Sequence, residues 1–129
     1  CQEPRIMVDG AHNGASIEAL MRAIGQNVPY DSMVVIFGCQ ADKDYVSMLR
    51  HIQLGADKVI FTPTGHVRSA DPADLLACFS EMSGKMAQMC WSLREALEVA
   101  GRAVGREDLI CIAGSFYLVG QAKRLLQKH

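Results

Sequence analysis

Several features that mark membrane, secreted or nucleic-acid-binding proteins are missing from this chain of 129 residues. Its apolar runs, such as Met33–Phe37, are far shorter than the roughly 20 residues that span a bilayer. Residues 1–4 lack the basic and then apolar pattern of a secretion signal. The 13 basic and 14 acidic side chains give a net charge of -1, which provides no excess positive charge for a nucleic acid. We therefore expect a soluble, cytoplasmic protein that binds neither membranes nor nucleic acids.

The cysteines do not have the spacing of a disulfide framework or a zinc site. They are odd in number, no two are arranged as C-x-x-C, and most lie beside apolar residues. We expect free, buried thiols in a reducing compartment at Cys1, Cys39, Cys78, Cys90 and Cys111.

Sequence motifs of several self-sufficient enzymes are absent as well. The chain contains no phosphate-binding G-x-x-x-x-G-K-S/T loop, no H-E-x-x-H zinc motif and no G-x-S-x-G nucleophile motif. No pair of carboxylates has the spacing of metal ligands on a helix. The chain alone is therefore not expected to bind a triphosphate together with magnesium.

What the chain does contain is a regular alternation of short β-rich runs and amphipathic stretches. Half of its residues are apolar, and its length suits one domain covering residues 1–129. Each β-rich run is followed by apolar residues at helical spacing. The predicted strands are Arg5–Val8, Met33–Phe37, Lys58–Phe61, 86–90 and Leu109–Ala113. This order predicts an α/β fold with three layers, in which helices cover both faces of a mainly parallel sheet.

Two of the predicted helices have clearly marked starts. Asp71 can cap one helix, and Pro72 suits its first turn, where no amide donor is needed. Ser92 and Glu95 have the spacing of a capping box, in which each side chain satisfies the other residue's backbone amide.

Polar residues concentrate where the predicted strands end, which is the edge at which parallel sheets bind ligands. After the first strand, Asp9 is placed to bind ribose hydroxyls, and His12 to donate a hydrogen bond to a phosphate at the helix start. Alternatively, Asn13 caps the helix while Asp9 and His12 bind the loop backbone. The residues alone leave both interpretations open.

The other strand ends carry Asp42 and Lys43, then Arg68, and finally Ser115. Lys43 lies at a helix start, where a cation opposes the helix dipole and so suggests an anionic partner. Arg68 offers two parallel hydrogen bonds to a carboxylate, and Ser115 offers a hydroxyl beside helix amides. The simpler alternatives are an acidic helix cap, a solvated arginine and an N-cap serine.

Four short motifs contain these residues: VDGAHN at 8–13, FGCQADKD at 37–44, RSADP at 68–72 and AGSFYLVG at 113–120. Together and in this order they resemble the C-terminal domain of the folylpolyglutamate synthases and bifunctional dihydrofolate synthases, which are Mur ligases. The resemblance extends over nearly the whole chain and implies the Rossmann-like C-terminal domain of that family. Gly14 departs from a proline that the family often has after the His-Asn pair, and Ala113 departs from a common threonine.

The resemblance implies a ligase in which ATP and Mg²⁺ bind to an N-terminal P-loop domain of the same polypeptide. Such an enzyme phosphorylates a folate carboxylate, and the amine of L-glutamate then displaces the phosphate. On the nucleotide side the resemblance places Asp9, His12 and Asn13, with His12 near the transferred phosphate. On the side where the amino acid enters it places Asp42, Lys43, Arg68 and Ser115.

Two other functions are compatible with the same residues. A stand-alone module could bind a nucleotide or another anion at these strand ends without catalysing a reaction. A related Mur-type ligase that extends a peptide would share the architecture. A P-loop encoded upstream would favour a ligase, whereas a start codon just before Cys1 would favour the module.

Overall fold

Five strands alternate with five helices in residues 5–127, which are the residues that this computed structural model describes. The strands are β1 (Arg5–Val8), β2 (Met33–Phe37), β3 (Lys58–Phe61), β4 (Met86–Met89) and β5 (Leu109–Ala113). The helices are α1 (Gly14–Asn27), α2 (Tyr45–Gly55), α3 (Pro72–Met82), α4 (Leu93–Ala103) and α5 (Phe116–Gln127). These bounds confirm the predicted strands, except that β4 ends at Met89 and not at residue 90.

All five strands form one parallel sheet in the order β1-β5-β2-β3-β4. The last strand of the chain therefore lies between the first two. This arrangement confirms the predicted α/β fold with a parallel sheet. Because every strand points in the same direction, the loops that follow the strands all lie at one edge of the sheet, which we call the carboxyl edge.

Helices cover both faces of the sheet, as the three-layer prediction requires. On one face, residues of α1, α2 and α3 form one buried cluster with Met33, Val35 and Phe37 of β2. On the other face α4 and α5 pack on Val34 and Ile36 of the same strand. This burial on both sides explains why β2 is apolar throughout and does not alternate with polar residues. Within residues 5–127 no helix is long and apolar enough to cross a membrane.

The two helix starts are capped as predicted, except for one hydrogen bond at the start of α4. The Asp71 carboxylate accepts a hydrogen bond from the Ala73 amide at 2.9 Å, which confirms the cap of α3. The Ser92 hydroxyl accepts from the Glu95 amide at 3.1 Å, as predicted. The Glu95 carboxylate, however, accepts from the Trp91 amide at 2.9 Å. The reciprocal half of the predicted box was therefore wrong by one residue, because the carboxylate satisfies the amide that precedes the cap.

The cysteines between residues 5 and 127 are free, as predicted. Cys39, Cys90 and Cys111 are buried, whereas Cys78 is only half-buried. Burial raises the pKa of the Cys39 and Cys111 thiols to about 12, and the nearby Asp42 carboxylate adds to the rise at Cys39. The prediction for Cys1 lies outside the described residues.

Candidate functional site

Backbone hydrogen bonds join the loops at the carboxyl edge in two pairs, which are linked by the Gly38 amide donating to the Ala113 carbonyl at 3.4 Å. The Gly114 amide donates to the Ala11 carbonyl at 2.8 Å, which connects the loop after β5 to the loop after β1. The Ala41 amide donates to the Arg68 carbonyl at 2.8 Å, which connects the loop after β2 to the loop after β3. The polar residues that follow separate strands are therefore parts of one surface.

Gly114 is required at the point where these loops come closest. Its φ of 113° lies in the region that residues with a side chain rarely adopt. A Cβ at this position would also collide with the Gly38 carbonyl oxygen. The glycine thus allows the start of α5 to approach the end of β2, and it places Ser115 beside the residues that follow β2.

In the first loop, Asp9 and Asn13 both bind backbone amides. One carboxylate oxygen of Asp9 accepts from the Ala11 amide at 2.8 Å. Asn13 caps α1 by accepting from the Ser16 amide at 2.8 Å, and the Ser16 hydroxyl accepts from the Asn13 amide at 3.0 Å. The capping interpretation of Asn13 therefore describes the structure, and Asp9 keeps its second carboxylate oxygen for another donor.

His12 is oriented by the loop and by an aromatic ring. Its Nδ1 lies 2.9 Å from the Gly10 carbonyl, and its ring lies 4.9 Å from the Phe116 ring, centre to centre. Because a carbonyl oxygen only accepts hydrogen bonds, Nδ1 must carry the proton. The nitrogen of His12 that remains for a ligand is Nε2, which is an acceptor when the ring is neutral and a donor when it is charged.

A cavity of about 190 Å³ lies between these loops at the start of α5. It is lined by His12, Gln40, Lys43, Gly114, Ser115, Phe116 and Tyr117. We call it the edge cavity. It brings together three residues that the sequence analysis selected from three separate strand ends, namely His12, Lys43 and Ser115.

Besides Gly114, three lining residues lie within the quoted motifs but were given no role in the sequence analysis: Gln40, Phe116 and Tyr117. The two aromatic residues gave a signal that could have been used, because they lie off the apolar stripe of α5. Phe116 is 66% exposed and Tyr117 is 51% exposed, although both are large aromatic side chains at a helix start. Gln40 had no such signal, since one polar residue in a polar loop is unremarkable without the fold.

Lys43 and Ser115 provide different groups to the edge cavity. Lys43 is exposed, and its ammonium group forms none of the ion pairs found among residues 5–127. Ser115 is 5% exposed, and its hydroxyl accepts a hydrogen bond from the Tyr117 amide at 3.1 Å. The oxygen of the Ser115 hydroxyl is therefore bonded to the first turn of α5, and the hydroxyl proton is still available for donation.

Four of the predicted residues do not line the edge cavity: Asp9 and Asn13, described above, and Asp42 and Arg68. Asp42 is exposed, and the cap of α2 is the next acidic residue, Asp44, whose carboxylate accepts from the Ser47 amide at 3.3 Å. Arg68 is exposed in the loop between β3 and α3 and does not line the cavity. The alternative of an acidic cap is thus observed in this loop, but at Asp44 and not at Asp42.

The family of the chain follows from its sequence. Residues 1–116 match the family described as Mur ligase, glutamate ligase domain. The chain belongs to the Mur ligase family. Folylpolyglutamate synthase from Lacticaseibacillus casei is 30% identical over 123 residues, and the alignment covers 95% of this chain and 27% of that protein. Dihydrofolate synthase/folylpolyglutamate synthase from Bacillus subtilis is 25% identical over 128 residues, covering 98% of this chain and 29% of that protein.

A solved structure has the same fold as this Mur ligase chain. It is Mycobacterium tuberculosis folylpolyglutamate synthase complexed with ADP and AMPPCP, with a TM-score of 0.88 and 27% sequence identity. The superposition covers 93% of this chain and 29% of that chain. The Mur ligase chain thus spans less than a third of the length of these relatives.

Two further observations delimit the site of this Mur ligase chain. Within the described part, no three histidine, cysteine or acidic side chains are grouped so that they could hold a metal ion. A larger cavity of about 360 Å³ lies between α1 and α2, but none of the predicted site residues lines it. The edge cavity is therefore the place where the predicted polar residues and an accessible space coincide.

Proposed function

We propose that this Mur ligase chain is the C-terminal domain of an ATP-dependent ligase that joins L-glutamate to folates through an acyl phosphate. The observation that carries the proposal is the edge cavity, where His12, Lys43 and Ser115 meet in a chain that matches a glutamate ligase domain. The folylpolyglutamate synthases among its relatives support folate as the acceptor.

The edge cavity suits the amino acid because glutamate is an anion with two carboxylates. Lys43 supplies a positive charge without a partner ion among residues 5–127, and Ser115 supplies a hydroxyl proton. Charge-assisted hydrogen bonds of this kind are about twice as strong as neutral ones. We infer that Arg68, and Asp42 on the same side, contact the amino acid from outside the cavity when the polypeptide closes around its substrates.

The loop after β1 has groups that are suited to bind the nucleotide. Asp9 has one carboxylate oxygen left for ribose hydroxyls, and Asn13 fixes the start of α1, where helix amides favour a phosphate. His12 would contact the transferred phosphate through Nε2, in the charged form if it donates a hydrogen bond. The ADP and AMPPCP complexes of the Mycobacterium tuberculosis protein support this assignment.

The rest of the reaction requires parts that this chain does not supply. Mg²⁺ accompanies nucleotide phosphates in ligases of this chemistry, and it usually binds one or two carboxylates together with phosphate oxygens. We assign these ligands and the phosphate-binding loop to an N-terminal P-loop domain of the same cytoplasmic polypeptide. Residues 1–129 would then form a single domain that provides one wall of the active site.

An assay of the full-length polypeptide tests the proposal. With ATP, Mg²⁺, tetrahydrofolate and radiolabelled L-glutamate, we expect labelled folate and one ADP for each glutamate added. The 129-residue chain alone should produce neither. In the full-length polypeptide, Arg68→Ala should raise the KM for glutamate more than the KM for ATP, and Arg50→Ala on α2 is the matched control.

The same assay, together with a nucleotide-binding measurement, also distinguishes the proposed ligase from the two alternative functions. Incorporation of another amino acid into a peptide precursor, with none into folate, would identify a Mur-type peptide ligase. Nucleotide binding by the isolated chain as tight as that of the full-length polypeptide would contradict the ligase proposal and favour a stand-alone module.

A further inference from the structure

The first turn of α5 presents two consecutive aromatic side chains to the edge cavity, and a histidine packs against each of them. His12 packs against Phe116 from the side of β1. On the side of β3, the His66 ring lies 4.2 Å from the Tyr117 ring, centre to centre, with 45° between their planes. His12 already has a place in the proposed reaction, whereas His66 lies in the loop between β3 and α3 and has none.

His66 is bonded to its own loop at three points. Its amide donates to the Thr64 hydroxyl at 3.1 Å, and its carbonyl accepts from the Ser69 amide at 3.0 Å. Its ring nitrogen Nδ1 accepts from the Arg68 amide at 3.0 Å. Because a backbone amide only donates, Nδ1 of His66 must be unprotonated and the proton of the neutral ring is on Nε2. The ring of His66 therefore joins the backbone of Arg68 to the ring of Tyr117.

The loop around His66 is bonded on both sides and is not a free surface loop. The Gln121 side chain of α5 donates to the Thr64 carbonyl. On the other side the Ala41 amide donates to the Arg68 carbonyl. Thr64 is fully buried although it is polar. The loop thus has a defined position between α5 and the loop after β2, and the contact between His66 and Tyr117 is its connection to the wall of the edge cavity.

We propose that His66 is a positioning residue, which fixes Tyr117 as one wall of the edge cavity and fixes Arg68 beside that wall. The proposal rests on the proposed function, since the bound molecule is taken to be L-glutamate. Its physical basis is that one side chain makes two contacts with different targets. The ring packs at a tilt against the Tyr117 ring, and Nδ1 accepts from the Arg68 amide, so removal of His66 loosens both residues at once.

Substitutions can separate these two contacts. His66→Asn keeps an acceptor that can reach the amide two residues further on but removes the ring. His66→Phe keeps the ring but removes the acceptor, and His66→Ala removes both. The bond to Arg68 is exposed, so water can replace it and the melting temperature should change little. His51→Asn, on α2 and away from the carboxyl edge, is the matched control.

The first measurement uses the 129-residue chain and does not depend on ligase activity. Hydrogen exchange followed by NMR should show the Arg68 amide exchanging faster in His66→Phe and His66→Ala, by on the order of tenfold, but not in His66→Asn. The ring resonances of Tyr117 should shift in His66→Asn and His66→Ala but much less in His66→Phe. Equal behaviour of the three variants in both readouts would overturn the positioning role.

The second measurement uses the full-length polypeptide. The KM for L-glutamate should rise about tenfold in His66→Ala and less in His66→Phe and His66→Asn. In all three variants the KM for ATP and the melting temperature should stay unchanged. The His51→Asn control should have the KM values of the unmutated polypeptide. An equal rise for ATP, or a fall in melting temperature that accounts for the lost activity, would show that His66 is merely structural. If the unmutated polypeptide does not use glutamate, the proposed function fails, while the NMR result still decides whether His66 positions Tyr117 and Arg68.

Discussion

At the scale of single residues, several side chains of the site have both a structural and a possible binding role. Asn13 caps α1, Asp9 accepts from a loop amide, and Ser115 accepts from the amide of Tyr117. The sequence suggested a choice between a cap and a ligand. The structure shows that the choice is not exclusive, because a carboxylate has a second oxygen and a hydroxyl has a proton in addition to its lone pairs.

The contributions of Lys43 to glutamate binding and to the stability of the fold can be measured separately. It lies next to the N-cap of α2, where its positive charge opposes the helix dipole. We expect Lys43→Gln in the full-length polypeptide to raise the KM for glutamate by about tenfold or more, because a charge-assisted contact is lost. The free energy of unfolding should stay the same or rise by up to about 0.5 kcal/mol.

Steady-state kinetics and urea denaturation check these two expectations for Lys43. Lys123→Gln, an exposed position on α5, is the control for removal of one positive charge. A loss of stability with normal glutamate kinetics would place Lys43 among the residues that support the fold only.

The buried thiols give a prediction that can be checked on the isolated chain. The pKa of Cys39 and Cys111 is raised to about 12, so at pH 8 their thiolate fraction is on the order of one in ten thousand. In a Cys1→Ser variant, iodoacetamide at pH 8 should leave both unmodified in the folded chain and modify both in urea. Mass spectrometry of the digested protein measures this, and Cys39 reacting as fast as the half-buried Cys78 in the folded chain would contradict it.

At the scale of secondary structure, the periodicity of apolar residues was sufficient to place the strands and helices. β2 and β5 are buried along their whole length, so their apolar runs coincide with their bounds. β4 ends one residue earlier than predicted, because the buried Cys90 continues its apolar run beyond the end of the strand. The periodicity does not predict which residues lie close together in space. Gln40 and Tyr117, for example, belong to the site only because β5 lies beside β2.

One helix end depends on a distant residue that no local pattern indicated. Lys85, in the turn before β4, donates hydrogen bonds to the Gln53 carbonyl and, at 2.7 Å, to the Ala56 carbonyl at the end of α2. α2 has no basic residue in its own last turn. Lys85 therefore supplies both the positive charge and the donors that a helix C-terminus lacks.

We expect Lys85→Met to lower the free energy of unfolding by about 1 kcal/mol, through loss of these charge-assisted bonds at a partly exposed site. Urea denaturation of the isolated chain measures the difference. Lys123→Met on α5 makes no such bonds in the described structure and is the control. Equal stability of the two variants would show that the contact of Lys85 with α2 contributes nothing.

At the scale of the whole molecule, the chain has a core on each side of its sheet, and in the proposed ligase it supplies only one wall of the active site. The two cores share β2 and β5, whose successive side chains alternate between them, so the isolated chain should unfold cooperatively. The polar groups assigned to the site all lie at the carboxyl edge, so they would contact a ligand from one side only and provide few of the contacts that tight binding requires.

We accordingly expect the isolated chain to fold and to bind ATP weakly. Calorimetry at micromolar protein should detect little heat, with or without Mg²⁺, whereas the full-length polypeptide should bind ATP measurably under the same conditions. Tight, magnesium-dependent binding by the 129-residue chain would contradict the division of the site between two domains.

The position of β5 has a consequence for synthesis on the ribosome. β1 is made before the other strands of this sheet, yet its hydrogen-bonding partner is β5, which follows about a hundred residues later. Until Ala113 has emerged from the ribosome, β1 has no neighbour and the edge of β2 that β5 will cover stays open. During most of the synthesis of residues 5–113, β1 and β2 therefore lack their final neighbour, and pausing before residue 113 prolongs the period in which these strands are open to aggregation.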